Sequence, residues 1–297
     1  DMAFVLTGST NLTTGQLVSD LNNVIVLEDQ SLARAYELEF EEMWGAEGME
    51  PNAANAKFGP DKTWNTPVDF VVGGSPVELY FSPSDGTTAA IQAQIDGANS
   101  DFEFALLTMT RDDLGDAIVE LNQSFFVSPI GVIEQVNVTG SEFDNMIGNG
   151  VQVYAHEPSG DCHHKYAIVD HSDVDSDPTV ITGSHNWSSS AENVNDENTL
   201  FVHDARVANL YHQEFRAIFN AVTGNVDDLS DVGESTWSLM PNPARGQAWL
   251  QGVQATDLVR VLDAGGRVVD VEQFRQGGAV QLELGRLTAG MYHVTVT

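Results

Sequence analysis

The sequence predicts an α/β layered sandwich followed by a small all-β sandwich. Three observations carry this. From Val77 to about residue 222, apolar strand-like runs alternate with helical segments, the pattern of helices layered on a parallel or mixed sheet. From Trp237 onward the pattern becomes apolar/polar alternation with a period of two. Charge changes at the same place: residues 237–297 hold five arginines and five acids, so the whole net charge of −32 belongs to residues 1–236.

In chain order, residues 1–46 read as a short strand, a turn, a second strand NNVIVL and an amphipathic helix in which Leu32, Tyr36, Phe40 and Met43 recur at helical spacing. Residues 47–75, with Pro51, Gly59-Pro60, Pro67 and Gly73-Gly74, read as a connector. A full α/β domain is predicted over 76–222: VELYF, TTAAIQAQI, FEFALLTM, DDLGDAIVEL, SEFDNMIGN, VQVYAH, the strand after Cys162, TVITG, NTLFVHD and a closing helix from Ala205. Residues 223–236 carry four acids and no base and read as an acidic linker. Over 237–297, the runs AWLQGV, LVRVLDAGGRVVDV, AVQLEL and GMYHVTV predict a separate small β-sandwich, with Ala264-Gly265-Gly266 as a hairpin turn.

The chain repeats itself. Residues 4–44 align without gaps on residues 179–219, each pair separated by the 175 positions that part Thr7 from Thr182; Ser9 falls on Ser184, Asn11 on Asn186, Asn23 on Asn198, Tyr36 on Tyr211 and Phe40 on Phe215. A period this long means two copies of a domain. Residues 1–46 are then the tail of a first copy, and the segment preceding TGS in the second copy has a counterpart that falls before Asp1. The sequence is therefore expected to begin inside the first copy, and the absence of a visible signal peptide carries no information on location.

Composition narrows the function classes. Forty-four acids against 12 bases disfavour broad duplex contact, although one local phosphate pocket remains compatible with them. No apolar run approaches the length that spans a bilayer. The single cysteine, Cys162, excludes an intramolecular disulfide framework.

One of only three lysines sits in the apolar run CHHKYAIVD, residues 162–170. Side chains at i and i+2 share a face of a strand, so His163 and Lys165 project together and His164 and Tyr166 project oppositely. The return strand TVITG delivers Ser184 and Asn186 from the turn GSHN. An imidazole, an ammonium, a hydroxyl and a carboxamide aimed at one spot suit a phosphate, because three of the four donate hydrogen bonds to an anionic oxygen. Each residue alone has a plainer reading: a core histidine, a snorkelling lysine, a turn-capping serine.

The combination HxK, four residues, Asp170, then GSxNW and NDEN resembles the HKD motif of the phospholipase D superfamily. The resemblance implies a phospholipase D-like layered fold in which two half-sites face each other across a pseudo-twofold axis. It implies a phosphodiesterase: the histidine of one half-site attacks phosphorus to give a phosphohistidine, and that of the other protonates the leaving alcohol and later activates water. His163 takes one of these roles, Lys165 and Asn186 bind the non-bridging oxygens, Ser184 assists at the same oxygens or at the imidazole, Glu197 orients the histidine, and Asp170 is the motif aspartate, a hydrogen-bonding partner. No metal and no cofactor are implied. Of the first half-site only Ser9 and Asn11 are present, as substrate-binding residues, and Asn22 stands where the second copy has Glu197. A chain with one histidine of two is expected to be inactive unless it pairs with another copy.

Competing motifs fail. The DVDSD run at 173–177 lacks the glycine and glutamate of a calcium loop, whose places fall on Pro178 and Ser184. Cys162, His163 and His164 alternate faces and cannot converge on one zinc ion. The sequon at Asn186 is noise. MPNPARGQ at 240–247, VRVLDAGGRVV at 259–269 and LTAGMYHVTV at 287–296 resemble the type A sorting domain of the type IX secretion system of Bacteroidota. That implies an immunoglobulin-like sandwich and a secreted or cell-surface protein exported across the outer membrane, with the secretion machinery as a partner and a last strand beyond Thr297. The expected function is hydrolysis of a phosphodiester, with a phospholipid headgroup favoured; the alternatives are an HKD-type endonuclease and a non-catalytic surface or adhesion protein.

Overall fold

The computed structural model describes residues 2–124, 126–173, 175–224, 238–254, 256–262, 267–288 and 292–296. The linker from residue 225, the turn at 264–266 and the Ala289-Gly290 pair of the C-terminal motif lie outside the described residues. The chain divides into two compact units, residues 1–225 and 226–297.

The first unit opens with β1 (Phe4–Gly8), α1 (Thr14–Val18), β2 (Val24–Glu28) and α2 (Gln30–Trp44). Then follow β3 (Asp69–Val72), β4 (Ser75–Ser82), α3 (Thr87–Gly97), β5 (Phe102–Leu106), α4 (Asp112–Gln123), β6 (Ile130–Ile133), α5 (Phe143–Gly148) and β7 (Gln152–Ala155). It closes with β8 (Lys165–Val169), β9 (Thr179–Gly183), α6 (Ser189–Asn193), β10 (Glu197–His203) and α7 (Ala205–Thr223). An eight-stranded mixed sheet runs β3-β4-β10-β9-β8-β5-β6-β7, with β5, β6 and β7 mutually parallel and the other neighbours antiparallel.

Every residue of β5, β8 and β9 is buried, as expected of central strands covered on both faces. On one face Ile91 and Ile95 of α3, Leu114 and Ile118 of α4 and Met146 of α5 pack on Phe104, Ile181 and Phe201. On the other, Ala208, Phe215, Ile218 and Phe219 of α7 pack on Tyr166, Ile168 and Val180. The α/β layering read from the sequence is therefore present.

The stretch read as a connector, 47–75, is partly built into the sheet. Phe70 of β3 is buried against β4, and Gly73-Gly74 turn the β3–β4 hairpin with φ of 60° and 96°. Lys62 is buried too, with its Nζ paired to Glu39, 3.3 Å from Asp196 and bonded to the Ser82 carbonyl at 2.7 Å.

β1 and β2 form a separate antiparallel ribbon. Its Val5 and Leu27, with Leu32 and Ala35 of α2, pack on Val77, Leu79, Phe81, Leu200 and Val202. Leu6 and Val26 on the other face are 65% and 59% exposed, although their repeat counterparts Ile181 and Phe201 are fully buried. Phe40, expected in the packed stripe of α2, is likewise exposed and stacks on Trp44. A two-stranded ribbon offers no sheet for that side of the helix to rest on.

In the second unit, β11 (Ser238–Arg245), β12 (Gln247–Gln251), β16 (Ala279–Glu283) and β15 (Glu272–Gln276) form a four-stranded sheet in the order β11-β12-β16-β15. β14 (Val268–Val269), β13 (Val259–Leu262) and β17 (His293–Val296) form a three-stranded one. Leu250, Val280 and Leu282 from the first sheet and Val259 and Val261 from the second share one core, which makes this unit a two-sheet sandwich.

Candidate active site

The two TGS elements of the repeat meet face to face. Thr7 donates to Asn198 Oδ1 at 2.6 Å, and its counterpart Thr182 donates to Asn23 Oδ1 at 3.0 Å. Tyr36 OH reaches the same Asn198 oxygen at 3.0 Å, and Tyr211 OH reaches that of Asn23 at 3.3 Å. Each copy thus completes the hydrogen bonds of the other, with the symmetry of a twofold exchange. Within each copy the serine closes the turn in the same way: Ser9 Oγ accepts from Asn23 N at 3.0 Å, and Ser184 Oγ from Asn198 N at 3.1 Å. The preceding glycines are required. Gly8 and Gly183 have φ of 142° and 153°, and a Cβ on either would lie 2.2 Å from the carbonyl oxygen of Asn23 or Asn198.

At the edge of this seam the segment before β8 is pinned by backbone bonds: Leu21 N donates to Asp161 O at 2.8 Å, and His163 N to Leu21 O at 2.7 Å. His163 is half-buried, and its Nδ1 lies 2.8 Å from the Ser9 carbonyl oxygen. A carbonyl only accepts, so Nδ1 carries the proton and Nε2 keeps its lone pair. Lys165, 5% exposed, bonds the His163 carbonyl at 3.0 Å and lies over the ring, its Nζ 3.3 Å from Nδ1 and 3.4 Å from Nε2. The alternation predicted for CHHKYAIVD therefore holds: His163 and Lys165 meet on one side, and on the other His164 packs edge-on against Tyr166 at 4.9 Å between ring centres.

Burial first, and then the neighbouring Lys165 ammonium, hold the His163 pKa below the ordinary imidazole value. Burial also brings Lys165 down to about 8, against the opposing pull of the Glu197 carboxylate. The pair is a neutral imidazole beside a desolvated cation, an arrangement chemically able to join a nucleophile to an anion-binding group.

The register of β8 on β9, in which Ala167 faces Ile181, runs on to bring Lys165 level with Gly183, where the GSHN turn begins. Asn186 in that turn is half-buried, and its Oδ1 is buried without a protein partner. The two ends of a carboxamide exchange by a flip, so one buried polar end of Asn186 is left for something other than protein.

The other predicted site residues make the following contacts. Glu197 does not orient His163: its Oε1 takes Asn195 Nδ2 at 3.2 Å, and the ring is held by Ser9 O. The reason is the exchange between copies, which makes a histidine look to the opposite copy for its partner. Ser184 Oγ is occupied by the Asn198 backbone and side-chain amides, so it holds the turn. Ser9 contributes its carbonyl to the ring instead of a side chain to substrate, and Asn11 is exposed, with its backbone amide on Gln16 Oε1 at 2.7 Å. Asp170 lies beyond the far end of β8, roughly 16 Å from Lys165 at about 3.3 Å per strand residue. There it accepts from Asn99 N and Ser100 N at 2.8 Å each, at a φ of 53°.

Sequence reasoning missed the contacts of His164, whose Nδ1 lies 3.3 Å from Asn23 Nδ2 and whose Nε2 lies 2.9 Å from Glu214 Oε1. Asn23 was visible as a repeat position; Glu214, on a distant helix, had no local signal. Among the described residues, no helix is long and apolar enough to cross a membrane.

Known proteins resemble two parts of the chain. Residues 91–219 match the family described as "Cardiolipin synthase, PLD-like domain", and residues 238–297 match "Secretion system C-terminal sorting domain". The mouse mitochondrial cardiolipin hydrolase is 31% identical over 147 residues, covering 49% of this chain and 63% of its own length. That of Chlamydomonas reinhardtii is 27% identical over 124 residues, 41% of this chain and 53% of its own. The chain thus spans between about half and two thirds of these relatives. The phosphatidylserine synthase of Haemophilus influenzae superimposes with a TM-score of 0.52 at 12% identity, over 74% of this chain and 59% of that one, which shows a shared fold.

Proposed function

Residues 91–219 being a phospholipase D-like domain and residues 238–297 a secretion sorting domain, we propose that the protein is an exported phosphodiesterase that works through His163. Nε2 attacks phosphorus, the P–O bond to one alcohol breaks, and that alcohol leaves with a proton supplied by a second acid. Water then cleaves the phosphohistidine and releases the phosphomonoester. Lys165 and the free end of Asn186 bind the non-bridging oxygens, where charge builds in the transition state. The observation that carries this reading is the His163–Lys165 pair, a neutral ring held through Nδ1 by Ser9 O with a buried ammonium against it.

Within residues 1–297 HxK occurs once, at His163-His164-Lys165, so turnover by these residues alone needs a half-site from another copy to supply the second acid. A phospholipid headgroup is the favoured substrate. The curated relatives are named cardiolipin hydrolases, and a net charge of −32, all of it before residue 237, opposes a long polyanion. The sorting domain supports export to the surface or beyond.

The test offers the 297-residue chain cardiolipin or phosphatidylcholine vesicles and, separately, single-stranded DNA, over a range of protein concentrations. Lipid hydrolysis is expected to rise faster than linearly with protein and to fall at least about 100-fold in His163→Ala. Equal rates for the variant would overturn the assignment. Cleavage of DNA alone would replace the lipid with nucleic acid, and no turnover at any concentration would refute pairing.

A further inference from the structure

We infer that the first unit carries a divalent metal site, separate from the His163 centre, built from Glu103, His171 and His212. Glu103 lies on β5 and is buried, His171 follows β8, and His212 lies on α7. Their ligand atoms lie within 4.8 Å of one another. His212 Nδ1 is 2.7 Å from Glu103 Oε2, and His171 Nε2 is 3.7 Å from Glu103 Oε1. Beside the cluster, Asp101 Oδ1 lies 3.4 Å from His171 Nε2.

The donor set is two imidazole nitrogens and one or two carboxylate oxygens, which suits Zn²⁺ or a neighbouring transition ion and not the all-oxygen preference of calcium or magnesium. A tetrahedral ion with bonds of about 2.0–2.2 Å keeps its ligand atoms about 3.3 Å apart. The 2.7 and 3.7 Å that separate the two imidazole nitrogens from the Glu103 oxygens bracket that value. The two imidazoles stack at 3.7 Å between centres and 22° between planes, so seating an ion requires the rings to turn until their in-plane lone pairs converge beside Glu103. Asp101 is held in turn by the backbone amides of His171 and Ser172, each at 3.0 Å. The imidazoles are 13% and 26% exposed, which leaves an entry path and room for a water as a further ligand.

Two features set the site apart from the rest of the fold. It lies at the opposite end of β8 from His163, more than about 15 Å along the strand. At the one cluster position inside the aligned repeat, the first copy has Glu37 in place of His212, so the framework shared by the copies does not require that histidine. An ion here would tie β5, the turn after β8 and α7 together, and would add two positive charges to a unit burdened with negative ones.

The test strips the full chain with chelator and titrates Zn²⁺ into the parent, His171→Ala, His212→Asn and the double variant, followed by calorimetry and by thermal melting. The parent is expected to bind one Zn²⁺ that each single variant binds at least about tenfold more weakly, and its melting temperature is expected to rise with Zn²⁺ where that of the double variant does not. Co²⁺ added to the stripped parent is expected to give visible ligand-field bands that the double variant lacks. Equal Zn²⁺ binding by parent and double variant, with both folded by circular dichroism, would overturn the proposal and leave the cluster a hydrogen-bonded proton network. A variant that melts early without metal leaves the Co²⁺ spectrum of Glu103→Gln as the deciding measurement, and bands as strong as the parent's would overturn the proposal too.

Discussion

At the scale of residues, the chemistry rests on a charge relation between two side chains. The His163 ring is kept neutral by burial and by the Lys165 ammonium. An imidazole with a lowered pKa gains its proton only at lower pH, so below neutrality it stays unprotonated further than a free histidine does. In an NMR titration the His163 resonance is expected to move with a midpoint below 6.5, the usual imidazole value. Lys165→Met removes the second of the two causes and leaves the first, so the midpoint should rise while remaining below that of an exposed histidine. A midpoint at or above 6.5 in the parent would remove the neutral nucleophile from the mechanism.

This pair was legible in the sequence because strand alternation is a local rule: i and i+2 share a face whatever surrounds them. The partner of the ring was not. Glu197 was the natural candidate by motif, yet the ring meets Ser9 O, 154 residues away, because the copies exchange contacts. Glu103, His171 and His212 were illegible for a similar reason, since a strand, a turn and a helix bring them together and no spacing announces it.

At the scale of elements, the fold-defining feature is the close approach of each TGS turn to the strand beside it. Gly183→Ala would place a Cβ 2.2 Å from Asn198 O at a φ of 153°, a backbone position that L side chains rarely adopt. Its cost is expected to be about 2 kcal/mol or more in urea unfolding. Gly97→Ala, at the end of α3 with nothing within 4 Å, serves as the control and should be neutral or stabilising by up to about 1 kcal/mol. Equal effects at the two positions would mean that the seam tolerates what its geometry forbids. The alternating elements from β4 to α7 were readable from period alone. The packing of α2 was not, because periodicity gives an apolar stripe without saying what lies opposite it, and here Leu32 finds a sheet while Phe40 does not.

At the scale of the whole molecule, charge and stability are linked. A net of −32 confined to residues 1–236 repels itself, whereas residues 237–297 are balanced. Screening length falls from about 10 Å at 0.1 M salt to about 3 Å at 1 M. The melting transition of the first unit is therefore expected to rise between these concentrations, and that of the sorting domain to stay nearly fixed, in calorimetry with sodium chloride. A first transition that falls with salt would show that attractive ion pairs, such as Lys62–Glu39, outweigh the repulsion.

The reciprocal bonds of Thr7 with Asn198 and Thr182 with Asn23 have a mechanical consequence. Neither half can loosen alone, because a movement that frees one asparagine pulls the threonine opposite the other. The floor beneath His163 should then open and close as a single unit, with the amides of Ser9 and Ser184 giving up deuterium in step despite the 175 positions between them.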